Sequence, residues 1–172
     1  MNTSNTPIEI ERKFLISMPS TKALERIEGT RKKQITQTYL VSEQNITARV
    51  RKIVENERTT YVKTEKSKIS SLSHYENEFE ITKEQYETEL TLKDINKKPI
   101  EKVRYCIPYS NHILEIDIYP FWNDRAILEI ELCDENERFD IPEYIRVIKE
   151  VSDDKRYKNT NLAKEIPLED MG

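Results

Sequence analysis

The sequence predicts an α+β fold in which an antiparallel sheet of about eight strands closes, or nearly closes, into a barrel, with short helices outside. Three observations carry this. Segments of alternating apolar and polar residues recur along most of the chain. Their polar positions are doubled charges of one sign, acidic in some segments and basic in others. Few stretches have helical spacing, so little is on hand to cover the apolar face of a large sheet.

The elements follow in order. Residues 1–7 (M-N-T-S-N-T-P) read as a frayed polar end. Residues 8–16 (I-E-I-E-R-K-F-L-I) alternate as a strand, with Glu9, Glu11 and Lys13 on one face and Ile8, Ile10, Phe14 and Ile16, along with Arg12, on the other. Residues 18–28 open with Pro19 and Ser20 and form a short helix that Gly29 ends. Residues 34–42 and 46–54 make a hairpin across S-E-Q-N. Residues 59–66 are the next strand, followed by a loop up to His74, and residues 76–81 alternate again. Residues 82–92 read as a helix, with Thr82 as N-cap and Tyr86 and Leu90 spaced on one face. Residues 98–108, 113–119 and 126–133 are three further strands. Residues 142–151 read as a helix, and the tail from Asp153 is polar until a short turn near Leu162.

The 172 residues suffice for one domain spanning 1–172, and are too few for two comfortable ones. Charged residues make up 35% while the net charge is only −4, which argues against a nucleic-acid binder that works through bulk basic charge. No apolar run has membrane length and the N-terminus carries no signal pattern, so a cytoplasmic protein without a membrane partner is expected. Cys106 and Cys133 lack metal-site spacing and read as packed thiols in a reducing compartment. The only glycines are Gly29 and Gly172, which excludes a glycine-rich phosphate loop. If the protein binds phosphate, side chains must do it. His74 and His112 read as loop and turn residues at the surface, and Trp122 as a packing residue beside Pro120 and Phe121. Tyr- and Ile-rich strands could form a homodimer surface, or could equally be covered by a helix.

A single strand with a charged, wet face is ordinary. Sign-segregated pairs in strand after strand are not, because surface charge is usually interspersed. With the charged face turned inward, one wall is acidic, from Glu9, Glu11, Glu78 and Glu80 together with Glu115, Asp117, Glu129 and Glu131. The other is basic, from Lys13, Arg49, Arg51, Lys102 and Arg104. Like charges confined together repel by kilocalories, so each wall calls for a ligand. Carboxylates suit a divalent cation of the magnesium type, and arginines suit a polyanion of several phosphates, which the guanidinium fork binds in bidentate fashion. The residues alone therefore point to a metal-dependent site for a linear polyphosphate or nucleoside triphosphate.

Glu9-x-Glu11-x-Lys13 resembles the ExExK signature of the CYTH, or triphosphate tunnel metalloenzyme, superfamily. The resemblance extends through Q-T-Y-L at 37–40, R-V-R at 49–51, Y-V-K-T-E-K at 61–66, E-F-E-I at 78–81, K-V-R at 102–104, L-E-I-D at 114–117, A-I-L-E-I-E-L at 126–132 and D-K-R-Y-K-N-T-N-L-A at 154–163. It implies an antiparallel barrel around a charged tunnel. It also implies that Glu9, Glu11, Glu129 and Glu131 hold one or two magnesium or manganese ions, with Glu78, Glu80, Glu115 and Asp117 as further acidic or metal-binding positions. Lys13, Arg49, Arg51, Lys66, Lys102 and Arg104 would grip phosphates, and Arg156 would close over them. The sequence departs from the common bacterial pattern at Gln37-Thr38-Tyr39 and at Asp153-Asp154-Lys155-Arg156, which leaves the shape of the C-terminal lid open.

The expected reaction is hydrolysis of a terminal phosphoryl group by a water that Glu78 or Glu131 orients. Among the family's activities, inorganic tripolyphosphatase is the first expectation, since nothing in the sequence builds an adenine or thiamine pocket. Class IV adenylyl cyclase and thiamine triphosphatase are the alternatives within the family. A non-catalytic polyphosphate- or nucleotide-binding module is the alternative of another class.

Overall fold

The computed structural model describes residues 7–167, and the expected frayed end falls, Pro7 apart, outside them. Apolar–charged alternation, with Ile and Val frequent at the apolar positions, sustains eight long strands. They are β1 (Ile8–Ser17), β2 (Arg31–Leu40), β3 (Ile46–Glu55), β4 (Arg58–Lys68), β5 (Ser73–Ile81), β6 (Ile100–Tyr109), β7 (His112–Ile118) and β8 (Arg125–Leu132). They pair antiparallel in the order β5-β4-β3-β2-β6-β7-β8-β1. A final pairing of β1 with β5, through Ile8–Tyr75, Glu9–His74 and Ile10–Ser73, closes the barrel. The fold class is thus the one the alternation predicts.

Closure leaves the rest of that edge of β1 without a partner. A ninth strand, β9 (Val147–Glu150), takes it, pairing with Phe14, Leu15 and Ile16. This corrects the helix expected over residues 142–151. Only one turn forms there, where the Ile145 amide donates to the Pro142 carbonyl at 3.0 Å. The β1 backbone groups need partners, and that tertiary demand outweighs the local helical spacing. The Arg12 guanidinium fixes the register by donating to both carboxylate oxygens of Glu150 at 2.7 and 2.6 Å. The loop expected up to His74 is also shorter than expected. β4 runs through Lys68 and β5 begins at Ser73, because the Ile69 and Ser70 amides both close onto the Ser73 carbonyl.

The helices are short and capped as the sequence indicates. In α1 (Thr21–Glu25) the Ser20 hydroxyl accepts from the Ala23 amide and Leu24 is buried. Gly29 follows at φ +79, and a Cβ there would sit 3.1 Å from Pro108 Cγ. In α2 (Lys83–Glu89) Thr82 and Gln85 form a reciprocal capping box, and a 3₁₀ turn (Leu90–Leu92) continues it. A second 3₁₀ turn (Lys155–Tyr157) leads into α3 (Asn159–Leu162). No described helix is long and apolar enough to cross a membrane.

Apolar side chains pack on both sides of the barrel wall. Outside, Phe14, Ile16, Ile107, Leu114, Ile116, Leu128 and Ile130 are buried beneath Leu24 of α1 and the segment carrying Phe139, Ile141 and Ile145. A second outer patch (Leu40, Ala48, Val50) lies under Tyr86 of α2. The inner face is not charged throughout. Where β1, β2 and β7 finish and β6 and β8 begin, Leu15, Tyr39, Tyr119, Ile100 and Ile127 replace charges. They pack against Val151, Tyr157, Leu162 and Ala163 of the C-terminal segment, with Trp122 beside them. Cys106 is buried, Cys133 is exposed, and both are free thiols.

Leu128 has no solvent exposure and Ile95 is 87% exposed. Leu128→Ala should therefore cost about 3 kcal/mol of unfolding free energy, whereas Ile95→Ala should stay within about 0.5 kcal/mol, both read from urea titrations.

Candidate active site

Alternation puts every second side chain of each strand inside the barrel. There they line a cavity of about 540 Å³. The structure brings eleven of the expected site residues onto it: Glu9, Glu11 and Lys13 from β1, Arg49 and Arg51 from β3, Lys66 from β4, Glu78 from β5, Arg104 from β6, Glu115 from β7, and Glu129 and Glu131 from β8.

Most of these charges are matched across strands. Arg104 touches three carboxylates: Asp117 at 2.6 and 2.8 Å, Glu129 at 3.0 Å, and Glu115. Lys13 lies 3.2 Å from Glu129, its cross-strand partner, and 4.0 Å from Glu11. Lys66 lies 2.5 Å from Glu9 and 3.0 Å from Glu76. Arg51 and Thr64 both donate to Glu78, at 2.6 and 2.9 Å. Burial alone would raise the pKa of Glu129, but Lys13 and Arg104 hold it well below the usual carboxylate range. Glu78 is likewise lowered, with Arg51 prevailing over burial.

Two groups of charges are left over. On the acidic side, Glu11 and Glu131 face each other directly across β1 and β8. Burial, then Glu129, pushes Glu11 up to about 7. Burial, then Glu9 and Glu115, raises Glu131. Glu9 is raised by burial despite its contact with Lys66, because that one ammonium also serves Glu76. On the basic side, Arg49 reaches no carboxylate at ion-pair distance among the described residues, and its buried Nε, like that of Arg51, has no hydrogen-bond partner there. Burial, then the adjacent Arg49, draws Arg51 down to about 10. Unpaired buried guanidinium donors favour an anion, and crowded carboxylates favour a cation.

Among the described residues, no three acidic, histidine or cysteine side chains already converge as a metal cage. An ion of the magnesium type needs no such cage, because it keeps several waters and takes one or two carboxylates together with substrate phosphate. The opposed, under-neutralised pair Glu11 and Glu131, with Glu9 nearby, meets that requirement.

Three expected residues stand elsewhere. Lys102 and Asp117 do not line the cavity. They form a 2.7 Å pair with side chains essentially out of solvent, and Asp117 also receives Arg104. Burial draws Lys102 down to about 8. The pair sits between the charged interior and the apolar C-terminal packing, where Asp117 accepts from both Lys102 and Arg104. Arg156 is exposed and bonded to Asp154 at 2.7 Å, and it does not line the cavity.

Conversely, sequence reasoning assigned no role to several lining residues: Lys33, Lys68, His74, Glu76 and Lys158. Glu76 already lay in the expected strand at the parity of Glu78, and extending that strand two positions would have added His74. Lys158 comes from the C-terminal segment and carries no local signal. His74 is held down to about 4 by burial and then by Lys66 and Lys158, so it is neutral near pH 7.

Glu11 titrates near 7 in the folded protein against 4.5 ordinarily, so the native state binds that proton more tightly. Its contribution to stability therefore grows as pH falls through 7 toward 4.5, while His74, lowered from 6.5 to about 4, works in the opposite sense. In chelator-treated protein, Glu11→Gln isolates the first effect. It should stabilise by about 1–3 kcal/mol near pH 8, less than the full shift because the side chain is 21% exposed. The gain should shrink toward zero near pH 4.5 in urea titrations.

No family model and no curated protein matches the sequence. Solved structures do. The inorganic triphosphatase NE1496 is 27% identical over 92% of this chain and 96% of its own, with TM-score 0.55. Another structure of NE1496, described as a hypothetical protein, gives 28% identity over 92% and 99%, with TM-score 0.57. The PH1819 protein from Pyrococcus horikoshii OT3 shares the fold, at 18% identity over 74% and 80% and TM-score 0.56. With a closed antiparallel barrel and inward-facing charges on both walls, the chain is similar to solved structures of the CYTH, or triphosphate tunnel, superfamily.

Proposed function

We propose that the protein hydrolyses a triphosphate in a divalent-metal-dependent reaction, with inorganic tripolyphosphate as its substrate. The observation that carries this is the pair of arginines, Arg49 and Arg51, whose buried Nε atoms lack partners among the described residues, on the wall facing under-neutralised carboxylates. The likeness to an inorganic triphosphatase supports the same reading.

In this reading Arg49 and Arg51 bind phosphate oxygens, and Lys13, Lys66 and Arg104 add positive charge along the chain. Glu9, Glu11 and Glu131 would hold magnesium or manganese. When bound, the ion supplies charge neutralisation at the phosphate oxygens and lowers the pKa of a coordinated water. Glu131, raised and free of any ion pair among the described residues, suits the orientation of the attacking water better than Glu78, which Arg51 and Thr64 already occupy. Asp117 and Lys102 keep Arg104 aimed inward.

Purified protein with magnesium or manganese should release phosphate from tripolyphosphate faster than from ATP or thiamine triphosphate. Arg51→Ala should lower kcat/KM by about 10²–10³-fold, the usual loss for a donor that stabilises transition-state charge. Glu9→Ala should remove metal-dependent turnover while leaving the circular dichroism spectrum unchanged. Cyclic AMP from ATP without phosphate release from tripolyphosphate would instead identify a cyclase, and metal-independent binding without turnover would identify a binding module.

A further inference from the structure

Three cavity-lining lysines, Lys33, Lys68 and Lys158, remain outside the set just assigned, and the last two influence one another. Lys68 ends β4 and Lys158 precedes α3 in the C-terminal segment, and both face the cavity. Neither has a carboxylate at ion-pair distance among the described residues. Long lysine side chains ordinarily turn away from one another into water. Here the backbone of Lys158 is pinned, because its carbonyl accepts from the Asn161 and Leu162 amides at 2.9 Å and the adjacent Asn159 accepts from the Tyr119 hydroxyl at 2.6 Å. Burial, then Lys68, holds its ammonium below the ordinary pKa, with Glu11 the carboxylate opposing that effect. Between β4 and β1, His74 is the cross-strand neighbour of both Lys68 and Glu9, and its Nδ1 has no hydrogen-bond partner among the described residues.

The position of these groups along the barrel gives them meaning. Arg51 lies opposite Val62 and Arg49 opposite Thr64, with Lys66 two residues further along β4 and Lys68 two beyond that. From Arg51 to Lys68 the cationic track thus spans six residues of β4, about 20 Å of strand. A triphosphate, with two phosphoanhydride links, is shorter than that track. We infer that Lys68 and Lys158, with His74 beside them, form a further phosphate subsite that lets the barrel take linear polyphosphates longer than tripolyphosphate. The inference rests on the proposed reading that a phosphoanhydride chain lies along Arg51, Arg49 and Lys66.

The test is calorimetric binding of tripolyphosphate and of a medium-length linear polyphosphate to the metal-free protein. It is run on wild type, on Lys68→Ala/Lys158→Ala, and on Lys68→Arg/Lys158→Arg as the charge-conserving control. Wild type should bind the longer chain roughly tenfold or more tightly per site than tripolyphosphate. The alanine pair should abolish that preference while changing tripolyphosphate affinity by less than about threefold, and the arginine pair should retain it. Equal affinity of wild type for both chains, or an equal loss for both in the alanine pair, overturns the subsite. Phosphate release is followed in parallel with metal present. Length-selective binding without any release would overturn the hydrolytic reading and leave the subsite standing.

Discussion

Charges turned into a barrel must find one another. Removing an ion from water costs several kilocalories unless an opposite charge and good hydrogen bonds replace its hydration. Arg104 shows how this chain meets the requirement. Its planar guanidinium reaches Asp117, Glu129 and Glu115 at once, tying β6, β7 and β8 together from the inside. Lys13 with Glu129, Lys66 with Glu9 and Glu76, and Arg51 with Glu78 continue the pattern around the ring. The strand order is therefore written twice, once in the outer apolar packing and once in the inner ion pairs.

That matching also shows where it stops. Arg49, Lys68 and Lys158 on one side, and Glu11 and Glu131 on the other, lack strong partners among the described residues. These unmatched positions are the chemically informative ones. A fully paired interior would be rigid and inert, whereas leftover charges of both signs on one cavity can receive a polyanion and a cation together. The raised carboxylates and the lowered Arg51 report the same imbalance from the protonation side.

The C-terminal segment completes this arrangement. It begins with β9 on the spare edge of β1, then packs Tyr157 and Leu162 against the apolar end of the inner face. It thereby replaces water beside the Lys102–Asp117 pair and delivers Lys158 to the cavity. One strand, β1, connects all of this: it carries Glu9, Glu11 and Lys13, closes the barrel on β5, and seats β9.

Much of this was legible in the residues. Alternation has a period of two and is local, so the sequence alone established the strands, the inward direction of Glu9, Arg49, Arg104 and Glu129, and the barrel that such strands require. Capping was local too, as Ser20 and Thr82 show. What tertiary structure decided was partnership. Register and closure place Glu11 against Glu131, bury Lys102 with Asp117 behind the wall, and turn an expected helix at 142–151 into β9. They also bring Lys158 and His74 to the cavity. Those outcomes depend on which strands become neighbours and on which backbone edge is left unpaired, and neither is encoded within any one segment.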